Sequence, residues 1–161
     1  MPWDKPYRPA RNRRLDAALY ASPGSVCFMT LGAYQHQAAF VRQDLNQLVL
    51  DVLQEEQARQ NCIVFTYCLM PDHLHFLVSS RMEGVSVLTF AERFKGRATN
   101  RSWTVGWRGR LWQPRYYDHI VRAEEDLRAI AEYVLGNPVR KGLVERIEDW
   151  RWGGQMNALP L

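Results

Sequence analysis

Residues 62–80, CIVFTYCLMPDHLHFLVSS, leave the chain little conformational freedom. Two apolar runs rich in Val, Ile, Phe and Tyr flank Pro71 and Asp72, a pair suited to reversing the backbone. The first run, 62–70, is apolar throughout and reads as a central strand covered on both faces. The second, 73–79, reads as its hairpin partner. Side chains alternate across a strand, so His73 and His75 share one face while Leu74, Phe76 and Val78 share the other. Two imidazoles placed this way can bind one metal ion through their neutral nitrogens. A single buried histidine is more often structural, and the pair needs a third ligand and a substrate before it defines a site.

The rest of the chain extends this hairpin. SVCFMTLGAY (25–34) has the composition of a strand. Val41, Leu45, Leu48, Val49 and Val52 recur at helical spacing and predict an amphipathic helix over about 41–58. A second helix is expected over 85–101, then a loop containing Gly and Trp, then a fourth strand in QPRYYDHIVR. A third helix begins near AEEDLRAIAEYV, with acids in its first turn where the helix dipole favours them. Pro138 disfavours helical geometry in the preceding residue, which predicts an end at Asn137. The order β-α-β-β-α-β with an added C-terminal helix is the ferredoxin-like, split βαβ pattern of an α+β fold built on an antiparallel sheet. A chain of 161 residues suits one domain over 1–161, with a basic N-terminal arm (1–20) and a C-terminal tail (153–161).

Charge is distributed unevenly. The formal net charge is only +4, but 93–115 carries Arg93, Lys95, Arg97, Arg101, Arg108, Arg110 and Arg115 and no acid. Phe94, Trp103, Trp107 and Trp112 are interleaved with them. A basic run alone is usually a solvated surface. With tryptophans it suits a single-stranded nucleic acid, whose phosphates need cations and whose unpaired bases stack on aromatic faces. The three cysteines, Cys27, Cys62 and Cys68, form no C-x-x-C pair and read as reduced, buried thiols. No apolar run is long enough to span a bilayer, and the basic start is not followed by the apolar stretch of a secretion signal. The expected location is the cytoplasm, with the nucleoid.

The last helix supplies further candidates. Leu127, Ile130, Ala131 and Val134 form its apolar stripe, and Tyr133 and Asn137 lie one turn apart on the flank of that stripe. Tyr133 reads either as a packed aromatic or as a reactive phenol at the sheet edge. Asn137 reads either as a helix cap or as a polar ligand. Tyr116 and Tyr117, beside Asp118 and His119, read as supporting residues, and His36 as a loop residue without chemistry.

Taken together, MPDHLHFLV, FKGRATNRSW and LWQPRYYDHIVRAEEDLRAIAEYVLGNPVRKGLVERIEDWRW resemble the REP-associated tyrosine transposases of the HUH endonuclease superfamily. These are relatives of the transposases of small single-strand insertion sequences. The resemblance runs in order from the first strand to about Trp152. It implies that His73 and His75 are the HUH metal ligands and that Tyr133 is the nucleophile. It further implies that Asn137 completes the metal site. Asn is one methylene shorter than the Gln common there in the insertion-sequence branch, so this ligation is direct or through water. A mixed N/O site of this kind suits Mn²⁺ as well as Mg²⁺.

The implied activity is metal-dependent cleavage and transfer of single-stranded DNA through a 5′-phosphotyrosine intermediate. A phenol is a poor nucleophile at neutral pH until activated, and the sequence identifies no base. The phosphotyrosine bond conserves the phosphodiester energy, and the chain has no P-loop to bind ATP. The implied partner is a REP-like DNA hairpin with a single-stranded flank, with Arg11, Arg13 and Arg14 available to dock its duplex part. The protein is expected to act as a monomer or homodimer. Rival readings are a rolling-circle or relaxase-type nicking enzyme, a domesticated DNA-binding module without catalysis, and a small-substrate metallohydrolase. The last leaves the basic stretch unexplained.

Overall fold

The computed structural model of the protein describes residues 7–8, 14–122 and 125–161. In chain order its elements are α1 (Ala17–Tyr20), β1 (Cys27–Gly32), α2 (Gln43–Gln60), β2 (Cys62–Met70), β3 (His73–Ser80), α3 (Val87–Ser102), β4 (Tyr117–Ile120), α4 (Leu127–Leu135), α5 (Asn137–Arg140) and β5 (Gly153–Gln155). The strands form one antiparallel sheet in the order β4-β1-β3-β2-β5. The first four follow the split βαβ order, and β5 adds a fifth strand on the β2 edge.

Strand parity divides the core into two layers. Met29 and Leu31 of β1 and Leu74, Phe76 and Val78 of β3 face α2 and α3, where Leu45, Val49, Phe90 and Phe94 cover them. Phe28 and Leu77, on the opposite face, pack against Ile130, Ala131 and Val134 of α4. A β-bulge between Val64 and Tyr67 reverses the parity of β2 midway along its length. Val64 and Leu69 therefore lie under α2 and α3, while Phe65, Cys68 and Met70 lie under α4. The unbroken apolar run of β2 gave no hint of this bulge, because both faces of the strand are buried.

Three boundaries differ from the pattern expected of the sequence. The fourth strand starts only at Tyr117, since Pro114 has no N–H to offer a ladder. Asp126 does not sit inside the last helix but caps it, accepting from Arg128 N and Ala129 N at 2.9 and 3.4 Å. That helix ends at Leu135, two residues early, and Pro138 occupies the first turn of α5, where its missing N–H costs nothing.

The strand β5 was not foreseen in the C-terminal tail. Gly153 and Gly154 permit it, because a Cβ at Gly154 would lie 3.2 Å from the Tyr67 hydroxyl and one at Gly153 would lie 3.4 Å from Cys68 Sγ. Trp150 Nε1 and Leu69 N anchor the approach, donating to Leu69 O and Trp152 O at 3.1 and 2.8 Å. Cys27, Cys62 and Cys68 are buried free thiols, as expected. Among the described residues no helix is long and apolar enough to cross a membrane.

The junction of α3 with the sheet is a cluster of aromatic rings. Phe94 is fully buried, its ring 6.3 Å from that of Phe76 and 5.7 Å from that of Trp112. Phe94→Ala should cost about 3–5 kcal/mol through lost transfer energy and a residual cavity. The check is a lower urea midpoint with an unchanged slope.

Candidate active site

His73 and His75 emerge together from β3 onto the α4 side of the sheet. Antiparallel pairing sets Thr30 of β1 opposite His75, and Thr30 Oγ1 lies 2.7 Å from His75 Nδ1. Asp72, in the hairpin turn, accepts from His73 Nδ1 at 2.6 Å. With their Nδ1 atoms engaged, the two rings turn their Nε2 atoms toward each other, 2.9 Å apart. Burial holds His73 below its usual basicity, against the opposing pull of Asp72. Burial lowers His75 further, assisted by the positive fields of His73 and Arg140. Neutral imidazoles are the form that binds cations.

Asn137 supplies a third donor. Its side-chain amide lies 3.0 Å from His73 Nε2, and Asn137 is itself buried. Nitrogen and oxygen of such an amide are interchangeable by rotation, so Oδ1 can occupy the same position. Two ligands held at right angles by one ion, each at about 2.1 Å, are about 3 Å apart. The observed spacings match that value, so the donor set fits one small divalent cation. Among the described residues no cluster of three His, Cys, Asp or Glu offers a rival site.

Tyr133 stands beside this set on α4. Its ring centroid is 6.4 Å from that of His75, and Phe28 and Tyr7 meet it edge-on at 6.3 and 5.1 Å. The Arg140 guanidinium lies over the ring, 3.9 Å from its centroid. The ring is half-buried. A cleft of about 450 Å³ opens next to His73 and Asp72, lined also by His36, Gln113 and Arg115.

The structure thus brings His73, His75, Asn137 and Tyr133 into one neighbourhood. Three partners escaped the sequence reading: Thr30, Asp72 and Arg140. Thr30 was detectable as the polar residue of an otherwise apolar strand, and Asp72 as the acid adjoining the first histidine. Arg140 gave no comparable signal.

The basic stretch is divided. Arg97 ion-pairs with Glu56 and Glu55 at 2.9 and 3.4 Å, and Arg101 pairs with Glu55, so α2 supplies the acids that 93–115 lacks. Arg93 donates to Gln60 Oε1 at 3.0 Å. Lys95 is buried, donates to Pro114 O at 3.3 Å and lies over Tyr116; burial depresses its basicity, with Glu92 opposing. Trp112 corrects the expectation of a stacking surface, since it is buried between Phe40 and Phe94. Trp107 is half-buried, whereas Trp103 is exposed. Arg108, Arg110 and Arg115 are exposed. In the N-terminal arm Arg14 pairs with the buried Asp118 at 2.6 Å, while Arg11 and Arg13 lie outside the described residues.

The family model described as "Transposase IS200 like" matches residues 26–137, from the approach to β1 through Asn137, a span containing all four residues of the cluster. The chain belongs to this family. A REP-associated tyrosine transposase of Escherichia coli K12 is 29% identical over 84 residues, 52% of this chain and 48% of that protein. A Haemophilus influenzae relative provisionally given the same name is 27% identical over 93 residues, 52% of this chain and 53% of its own length. The chain therefore spans about half the length of the curated relatives it matches. A solved structure of a REP-associated tyrosine transposase bound to a REP hairpin superposes with a TM-score of 0.73 at 19% identity. The match covers 89% of this chain and 81% of that one, and it establishes a shared fold.

Trp112 and Trp103, the most and least buried tryptophans among the described residues, provide a direct check on this division. Trp112→Ala should destabilise the protein by about 3–5 kcal/mol. Trp103→Ala should change stability by less than about 1 kcal/mol. Thermal unfolding of the two variants reads out the difference.

Proposed function

We propose that the protein is a divalent-metal-dependent endonuclease and strand transferase for single-stranded DNA, with Tyr133 as its nucleophile. The observation that carries this reading is the convergence of His73, His75 and Asn137 beside Tyr133 in an IS200-like chain. The Tyr133 oxygen attacks the scissile phosphorus, the bond to the 3′ oxygen breaks, and that oxygen takes up a proton as the phenol releases one. The products are a 5′-phosphotyrosine link and a free 3′-hydroxyl, and the reverse reaction with another 3′-hydroxyl rejoins strands without ATP. A divalent ion, Mg²⁺ or Mn²⁺, would polarise the scissile phosphate when bound.

The protein's own residues do the rest. Thr30 and Asp72 fix the two ring orientations, and neighbours of this kind are worth about 10–100-fold in metal affinity. Phe28, Tyr7 and Arg140 confine the Tyr133 ring, which favours in-line approach to one phosphate. The relative bound to a REP hairpin supports a DNA hairpin as substrate, and a single-stranded flank beside it would offer the unpaired phosphate that Tyr133 attacks. The exposed Arg108, Arg110, Arg115 and Trp103 are the members of the basic stretch best placed for DNA. Trp107 offers part of its ring, and Arg93, Arg97 and Arg101 divide their charge between DNA and their partners on α2. Such an enzyme would act in the cytoplasm at the nucleoid, as a monomer or homodimer.

Tyr133→Phe should eliminate the covalent protein–DNA adduct while leaving affinity within about threefold, because only the attacking oxygen is lost. EDTA should abolish the adduct of the parent, and Mg²⁺ or Mn²⁺ should restore it. Denaturing electrophoresis with labelled hairpin DNA decides the matter, and an adduct persisting in the Tyr133 variant would refute the assignment.

Binding should weaken steeply with salt. Removing the charges of Arg108, Arg110 and Arg115 together should flatten the log–log slope by about 2, at about 0.7 per phosphate contact on a single strand. An unchanged slope in a fluorescence-anisotropy salt titration would place the DNA elsewhere.

A further inference from the structure

Arg140 is the arginine that lies over the Tyr133 ring at the proposed centre. Arg14, Arg42, Arg59, Arg97, Arg101 and Arg146 each pair with a carboxylate, and other described arginines, Arg108 and Arg115 among them, have none and stand in solvent. Among the described residues Arg140 forms no ion pair, although it is exposed and sits on a four-residue helix. It reaches back instead to lie 3.9 Å above the Tyr133 ring. The side chain passes close to Gly136, where a Cβ would lie 3.0 Å from Glu132 O and 3.1 Å from Arg140 Nη1. The turn that begins α5 thus does two things, presenting Asn137 to His73 and folding Arg140 over the tyrosine.

A guanidinium stacked on a ring contributes about 0.5–2 kcal/mol to holding that ring. Stacking uses the face of the guanidinium and leaves its N–H edge free to donate. The ring it covers has its centroid 6.4 Å from that of His75, so the guanidinium borders the histidine pair. A phosphate attacked by Tyr133 while held near His73 and His75 must therefore approach this unpaired cation.

We infer that Arg140 is a phosphate-binding and positioning residue for the cleavage step, which stacks on Tyr133 to fix its ring and donates to the scissile phosphate. The inference rests on the reading of Tyr133 as nucleophile. Planarity matters to both parts, since lysine offers charge without a stacking face or a fork of donors.

The test uses the full chain and a REP-type hairpin oligonucleotide with a single-stranded flank, after the bond cut by the parent has been mapped. Arg140→Gln should slow single-turnover adduct formation about 100-fold, the scale of losing one preorganised electrostatic donor, with DNA affinity within about threefold. Arg140→Lys should recover part of that rate. The discriminating substrate carries an uncharged methylphosphonate at the mapped bond. There the Arg140→Gln penalty should shrink below about fivefold, because the charge that Arg140 meets is gone. An equal penalty on both substrates would overturn phosphate contact, and a loss under about threefold on the natural substrate would overturn the whole inference.

Ring resonances of Tyr133, followed by NMR with labelled tyrosine, test stacking separately and should move in Arg140→Gln. Unmoved resonances would remove the positioning role. If the parent forms no adduct, both the nucleophile reading and phosphate contact at the cleavage step fall, while the resonances still decide whether Arg140 holds the ring.

Discussion

Antiparallel pairing of β3 with β1 sets His75 opposite Thr30, and the rest of the site follows from that register. A strand slipped by one residue would turn both histidines into the aromatic layer under α2 and α3 and put Leu74 and Phe76 at the centre. The register is held by burial on both faces, since Leu74, Phe76, Leu77 and Val78 are all fully enclosed. The cost of placing imidazoles on such a strand is met by hydrogen bonding. Thr30 and Asp72 occupy the Nδ1 atoms, burial lowers the basicity of both rings against the pull of Asp72 on His73, and the remaining nitrogens face one another. The packing that makes the fold rigid is therefore also what makes the histidines suitable as ligands.

The second half of the site is carried by the helical segment that follows the basic loop and β4. α4 bears Tyr133 on the flank of its apolar stripe, and Gly136 joins it to α5 in right-handed helical geometry, its N–H donating to Glu132 O at 2.8 Å and its carbonyl accepting from Arg140 N at 3.0 Å. Asn137 therefore lies one turn beyond Tyr133, where its amide meets His73, and Arg140 lies over the ring. One helical turn thus connects the sheet's histidines to the helix's phenol.

The basic segment shows how charge and surface separate on folding. Read along the chain, 93–115 is a cationic run without acids. In space, α2 lies against α3 and presents Glu55 and Glu56 to Arg97 and Arg101. Glu56 is fully buried, so its pairing with Arg97 belongs to the helix–helix interface, where an unpaired carboxylate would carry a large desolvation penalty. Trp112 and Lys95 likewise serve the interior. What stays exposed without a carboxylate partner is Arg93 on α3 and the segment after it, with Arg108, Arg110, Arg115 and Trp103.

Properties that depend on near neighbours were determined by the sequence itself. The β2–β3 hairpin, the common face of His73 and His75, the helical stripes and the split βαβ order all arise from strand alternation, turn chemistry and helical periodicity, which act over a few residues. The motif combination from Met70 to Val139 also carried the family. Tertiary structure alone decided which distant side chains became partners: Thr30 with His75, Asn137 with His73, Glu56 with Arg97, and Arg140 with Tyr133. It also decided the bulge in β2 and the strand β5, because a strand apolar on both faces reveals no parity and a Gly-Gly pair reveals no neighbour. A charge or ring is available to a ligand only if nothing in the folded chain has already covered it, and that depends on residues far away in sequence.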